Sequence, residues 1–132
     1  MLKLGTKHAL VVFGEDGFDE VSLSAPTTVY EVQDGKVRSY TVTPEDMGVQ
    51  TQKPEAVSGG AAGENAKALR AVLSGEAGPL RDFTLINAAA ALVAGDLASD
   101  MKEGTQIAAK SIDSGAALEK LDAFVRVSNE TG

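Results

Sequence analysis

Residues 7–23 read KHALVVFGEDGFDEVSL, and the fold depends on how this stretch is read. Ala9 to Phe13 is a continuous apolar run between polar Lys7-His8 and Gly14. A short apolar run with such boundaries is the pattern of a strand buried on both faces, so it predicts a central strand of a parallel sheet. Directly after it come four carboxylates within six residues, Glu15, Asp16, Asp19 and Glu20, with glycines at 14 and 17. Taken alone, that crowding describes a solvated acidic turn.

Outward from this stretch the pattern is strands first and helices later. Residues 20–24 and 28–33 lean towards β structure, and Asp34-Gly35 separates residues 28–33 from 36–42 with the residue pair a type I′ hairpin needs. Thr43-Pro44-Glu45-Asp46 offers an N-cap, a proline at N1 and an acid at N3, which predicts a short helix or turn ended by Gly48. Residues 49–63 are polar and glycine-rich and predict a loop. Ala66, Leu69, Val72 and Leu73 then share one face of a helix near 64–74, closed by Gly75. Residues 80–93 are apolar nearly all round, the mark of a buried helix, with Asn87 as its single polar intrusion. Ser99 or Asp100 with Glu103 caps a third helix carrying Ile107, Ala108 and Ile112, and Leu118, Leu121, Phe124 and Val125 mark a fourth.

Composition excludes several functions. The 132 residues suit one domain, and the formal net charge of -7 with 12 scattered basic residues argues against nucleic acid, whose phosphates require clustered Lys and Arg. No apolar run is long enough for a membrane span and no charged leader precedes one, so the expectation is a cytoplasmic protein with no membrane partner. Without cysteine there are no disulfides, thiolate nucleophiles or Cys-based zinc sites, and the single histidine, His8, rules out a His-pair metal site. A bound metal would take oxygen ligands.

One buried strand and a hairpin are too little for a parallel sheet, and Leu2 and Leu4 before Gly5 read as the tail of a helix begun upstream. The expectation is a piece of a larger α/β domain. The order LGTKHALVVFGEDGFDEVSLSAPTTVYEVQDGKVRSYTVTPEDMG (4–48), GGAAGENAKALRAVLSGEAGPLRDFTLINAAAALVAGDL (59–97) and GTQIAAKSIDSGAALEKL (104–121) resembles the carboxyl-terminal part of the anthranilate phosphoribosyltransferase family. The resemblance implies a fragment, residues 1–132, of a three-layer α/β/α catalytic domain of the phosphoribosyltransferase and nucleoside phosphorylase type. It also implies transfer of the phosphoribosyl group of phosphoribosyl pyrophosphate (PRPP) to anthranilate, in tryptophan synthesis, by a homodimer. The acidic pair of the family's GxDE motif falls on Asp19 and Glu20, which implies that they coordinate Mg2+ bound to pyrophosphate. That fits a hard cation that takes carboxylates, phosphates and waters, at a loop after a strand's carboxyl end.

Against the family pattern, the helical N-terminal domain, the phosphate-binding loop and the arginine that holds anthranilate's carboxylate lie upstream of the resembling part. Phe13 stands where the family often has histidine. No catalytic residue is assigned within 1–132, and the isolated fragment is expected to be inactive. Two alternatives stay open: a pyrimidine nucleoside phosphorylase-like enzyme, or a noncatalytic module that binds magnesium or a partner chain. Glu15 and Asp16 read as solvent-facing residues that shape the turn, and His8 as structural. Gly59, Gly60 and Gly63 read as a helix lead-in rather than an anion site. Asn87 is expected to satisfy a neighbouring backbone group inside the core. Ser22, Ser24, Thr27 and Thr28 have no base beside them in sequence, so nucleophilic catalysis has no support.

Overall fold

A computed structural model describes residues 1–130. Three seven-residue strands, β1 (His8–Gly14), β2 (Thr27–Gln33) and β3 (Lys36–Val42), precede four helices. These are α1 (Ala62–Leu73), α2 (Pro79–Ala94), α3 (Met101–Asp113) and α4 (Ala116–Glu130), with single 3-10 turns at Leu2–Leu4 and Pro54–Val57. The α/β character and the order of strands before helices are as the sequence predicts.

The sheet order is β1-β2-β3. Both pairings are antiparallel, with Val12 opposite Val29 and Val29 opposite Tyr40. This corrects the parallel, doubly buried reading of residues 9–13: β1 is an edge strand in the described sheet, joined to β2 by a loop that needs no crossover helix. Leu10 and Val12 face the core, whereas Val11 is 45% exposed and Phe13 54%. An apolar run shows that both faces are hydrophobic but not what covers them. On the same outer face, Tyr30 and Val37 are also exposed. The β-leaning residues 20–24 are irregular loop, held by side chains rather than by a ladder.

The hairpin forms at Asp34-Gly35, whose φ values of 48° and 75° are both positive, as a type I′ turn requires. Thr43-Pro44-Glu45-Asp46 makes a turn, not a helix: Asp46 N donates to Thr43 Oγ1 at 3.2 Å and Thr43 N to Asp46 Oδ2 at 2.9 Å. Before α1, Asn65 closes the glycine lead-in on itself, accepting from Gly60 N at 2.8 Å and donating to Gly60 O at 3.0 Å. Asp100 is the cap of α3, accepting from Glu103 N at 2.8 Å, while Glu103 accepts from Ser99 N and Oγ.

Two apolar clusters meet at α2. Ile86, Ala89 and Val93 join Val21, Leu23, Met47 and Met101, against which Leu10, Val12 and Val42 of the sheet pack. Leu85 turns the other way, to Val72, Ala108 and Ile112. That double burial is why α2 is apolar nearly all round. By contrast, α4 buries no residue fully, and Phe124 is 72% exposed.

Candidate functional site

The acidic turn, residues 14–26, is fixed first through its backbone. Gly14 N donates to Phe18 O, Gly17 N to Gly14 O and Glu15 N to Pro26 O, each at 2.9 Å. Gly14 has no room for a side chain: a Cβ there would lie 2.6 Å from Asp16 Oδ1 and 3.0 Å from Ser22 Cβ. Gly17, at φ 94°, takes the left-handed conformation that lets the chain reverse.

Asp16 is the hub of this loop: it is exposed and shapes the turn, as the sequence reading has it, and it does so through side-chain bonds that the sequence does not show. Its Oδ2 accepts from Ser22 Oγ at 2.6 Å and Ser24 Oγ at 2.8 Å, and its Oδ1 from Phe18 N at 3.3 Å. Burial alone would raise the Asp16 pKa, but these hydrogen bonds to the ionised form outweigh it and hold the carboxyl below its ordinary range. Ser22 Oγ also accepts from Ser24 N and Ala25 N, and Ser22 N donates to Thr27 Oγ1. The hydroxyls therefore serve the loop. Sequence spacing could not reveal the clasp, because its members lie six and eight residues apart and meet only once the loop closes.

Asp19 and Glu20 project from this frame. Both are exposed, and neither carboxylate takes part in a hydrogen bond or ion pair among the described residues. Glu15 is likewise exposed. Buried Val21 follows the pair at once, and α2 holds it: Asn87 Oδ1 accepts from Val21 N at 2.9 Å and Asn87 Nδ2 donates to Val21 O at 3.0 Å. Asn87 thus does satisfy backbone groups, as its place in an apolar helix predicts. What sequence alone missed is that those groups adjoin the acidic pair.

Among the described residues no three His, Cys, Asp or Glu converge as a metal cage. Two adjacent, unengaged carboxylates are a partial donor set. That set fits Mg2+, which keeps waters and completes its octahedron with phosphate oxygens, and it does not fit a cation needing a closed cage of protein ligands.

His8 lies at the other end of β1, about 20 Å away by strand rise, in a separate charged cluster. Its Nε2 is 2.9 Å from Glu31 Oε1 and its Nδ1 2.7 Å from Asp96 Oδ1. Arg38 Nε and Nη2 lie 2.8 and 2.7 Å from Glu31 Oε2. Glu31 is only 2% exposed. Its burial was not legible in sequence, since a glutamate in a hairpin strand ordinarily faces water.

A sequence profile described as "Glycosyl transferase family, a/b domain" matches residues 1–118. An anthranilate phosphoribosyltransferase from Symbiobacterium thermophilum is 54% identical over 119 residues, covering 90% of this chain and 35% of that protein. Among solved structures, the anthranilate phosphoribosyltransferase of Thermus thermophilus superposes with a TM-score of 0.83 at 38% identity, covering 94% of this chain and 36% of the other. The Saccharomyces cerevisiae enzyme in complex with PRPP and Mg does so at 0.80 and 30% identity, covering 89% and 34%. The chain spans little more than a third of the length of the curated relatives it matches. Their name does not favour the nucleoside phosphorylase alternative. With the profile covering most of its length and this arrangement of turn and helices shared, the chain belongs to the glycosyl transferase family, as a stretch of its α/β domain.

Proposed function

We propose that this chain is the carboxyl-terminal part of an anthranilate phosphoribosyltransferase catalytic domain and supplies its magnesium-binding acidic turn. The complete enzyme transfers the phosphoribosyl group of PRPP to the amine of anthranilate, giving N-(5-phosphoribosyl)anthranilate and pyrophosphate. The observation that carries the reading is the Asp19-Glu20 pair: two carboxylates without partners among the described residues, held outward on a turn whose Asp16, Ser22 and Ser24 are all engaged. The identities of about 50% with proteins of that name support it.

Asp19 and Glu20 would hold the cation, and Asp16, Ser22 and Ser24 keep the turn that presents them. When bound, Mg2+ neutralises charge that grows on the departing pyrophosphate. The two neighbouring carboxylates repel each other, and a divalent cation relieves that repulsion, so the pair is matched to a ligand of charge +2. The phosphate grip and the anthranilate pocket belong, in this reading, to an upstream helical domain and phosphate-binding loop. It also makes the enzyme a cytoplasmic homodimer.

The test is Asp19→Asn and Glu20→Gln in the complete enzyme. Each is expected to raise the Mg2+ concentration for half-maximal velocity about tenfold or more. Unchanged magnesium dependence in both variants overturns the assignment.

A further inference from the structure

The acidic pair is bracketed by two contacts with the same helix. Phe18, immediately before Asp19, sets its ring edge-on against Phe83 of α2, with centroids 6.3 Å apart and planes at 76°. Val21, immediately after Glu20, gives both its N–H and its C=O to Asn87, one helical turn beyond Phe83. The residues at i and i+4 of α2 stand one above the other on one face. They anchor the two ends of a dipeptide whose side chains are exposed to solvent.

Asn87 spends its amide fully. Besides donating to Val21 O, its Nδ2 donates to Phe83 O at 3.1 Å, so both donor hydrogens and the oxygen are engaged. The pattern fixes the amide's orientation, because reversing it would set N–H against N–H and oxygen against oxygen. Asparagine is a poorer helix former than the alanines and leucines around it, and a helix needed only for packing gains nothing from an amide there. What the amide does is lock the peptide planes on either side of Val21, much as a rung of sheet would.

We propose that Asn87, assisted by Phe83, is a positioning residue for the metal site: it sets where Asp19 and Glu20 present their carboxylates. The inference rests on the magnesium reading of that pair. Mg2+ demands oxygens at about 2.0–2.1 Å in near-octahedral array, so a freely pivoting pair of carboxylates loses affinity. Anchoring both flanks in the metal-free fold removes that freedom beforehand. The role is carried by backbone bonds, so Asn87 itself touches neither metal nor substrate.

The experiment uses the complete enzyme with Asn87→Leu, which keeps the bulk and removes all three hydrogen bonds. Ile112→Ala, in the other apolar cluster, is the control for general destabilisation. Asn87→Leu is expected to raise the Mg2+ concentration for half-maximal velocity about tenfold while kcat at saturating Mg2+ largely recovers. It should weaken Mn2+ binding in the presence of pyrophosphate, followed by electron paramagnetic resonance, and speed amide exchange across residues 15–25 of the metal-free protein. Ile112→Ala should lower the melting temperature and change none of these. If Asn87→Leu does not fold, Phe83→Leu should shift the same readouts in the same direction by less. Metal dependence and turn exchange in the Asn87 or Phe83 variant no different from Ile112→Ala overturn the proposal while leaving the metal ligands standing. Unchanged Mn2+ binding in Asp19→Asn overturns the ligand assignment, and the positioning role falls with it.

Discussion

Ala89 of α2 and Gly104 of α3 touch backbone to backbone: a Cβ at position 104 would fall 2.9 Å from the Cα, the Cβ and the carbonyl oxygen of Ala89. No rotamer relieves a clash with main chain. Gly104→Ala should therefore cost about 1–3 kcal/mol by overpacking. That outweighs the gain of up to about 1 kcal/mol that alanine brings to an unconstrained helix position. Thermal denaturation decides the sign, and a raised melting temperature would show that the two helices part easily.

Asp16 and Asp19 should separate into two phenotypes. Asp16→Asn removes charge from an acceptor of two hydroxyl bonds, and hydrogen bonds to charged groups are worth about 1.5–3 kcal/mol. It should lower stability, with a smaller loss of activity in the complete enzyme. Asp19→Asn leaves stability unchanged but lowers kcat/KM by more than about tenfold, which is at least about 1.4 kcal/mol of transition-state stabilisation. Equal losses of activity in the two variants reject the division of the acidic cluster.

The His8 cluster gives the fold a pH dependence. Both ring nitrogens face carboxylate oxygens, which only accept, so both must carry hydrogen and the bridging form is the imidazolium. Burial pulls its pKa down, yet the bonds and charges of Asp96 and Glu31 outweigh burial and hold it above its ordinary 6.5. A raised histidine pKa contributes stability in full below the unfolded value, and that contribution is lost as pH rises through the folded value. Unfolding free energy should fall from about pH 6.5 upward, and His8→Gln should flatten the slope. An unchanged slope would place the dependence elsewhere.

The outer face of the sheet, with Val11, Phe13, Tyr30 and Val37 exposed beside the free edge of β1, should make the isolated 132-residue chain self-associate. Phe13→Lys should reduce the association. Sedimentation as a clean monomer by the unaltered chain refutes the expectation.

The same isolated chain should not consume anthranilate, because it spans little more than a third of its relatives and the proposed reading puts the phosphate grip outside it. Measurable turnover by the purified chain would overturn this.

Local signals in the sequence were legible where local chemistry decides. Asp34-Gly35 specified its turn through positive φ, and Asp100 with Glu103 specified a helix start. The apolar make-up of α2 was readable for the same reason. The direction of β1 was not, because an apolar run says nothing about which neighbour pairs with it. Nor was the role of Asp16, or the burial of Glu31, since each depends on partners that only the closed fold supplies. Asn87 was half legible: its need for a partner shows in the helix, its partner's identity does not.

Val21 and Asn87 are 66 positions apart in the chain, so the flank of the acidic pair at Val21 is fixed only when α2 has docked. Turn and helix are one cooperative unit, and free energy passes between them in both directions. A ligand that binds only the ordered turn also opposes undocking of the helix, by about 2.7 kcal/mol at about a hundred times its dissociation constant. Occupancy of two surface carboxylates is then readable, at a distance, in the melting of the helix beneath them.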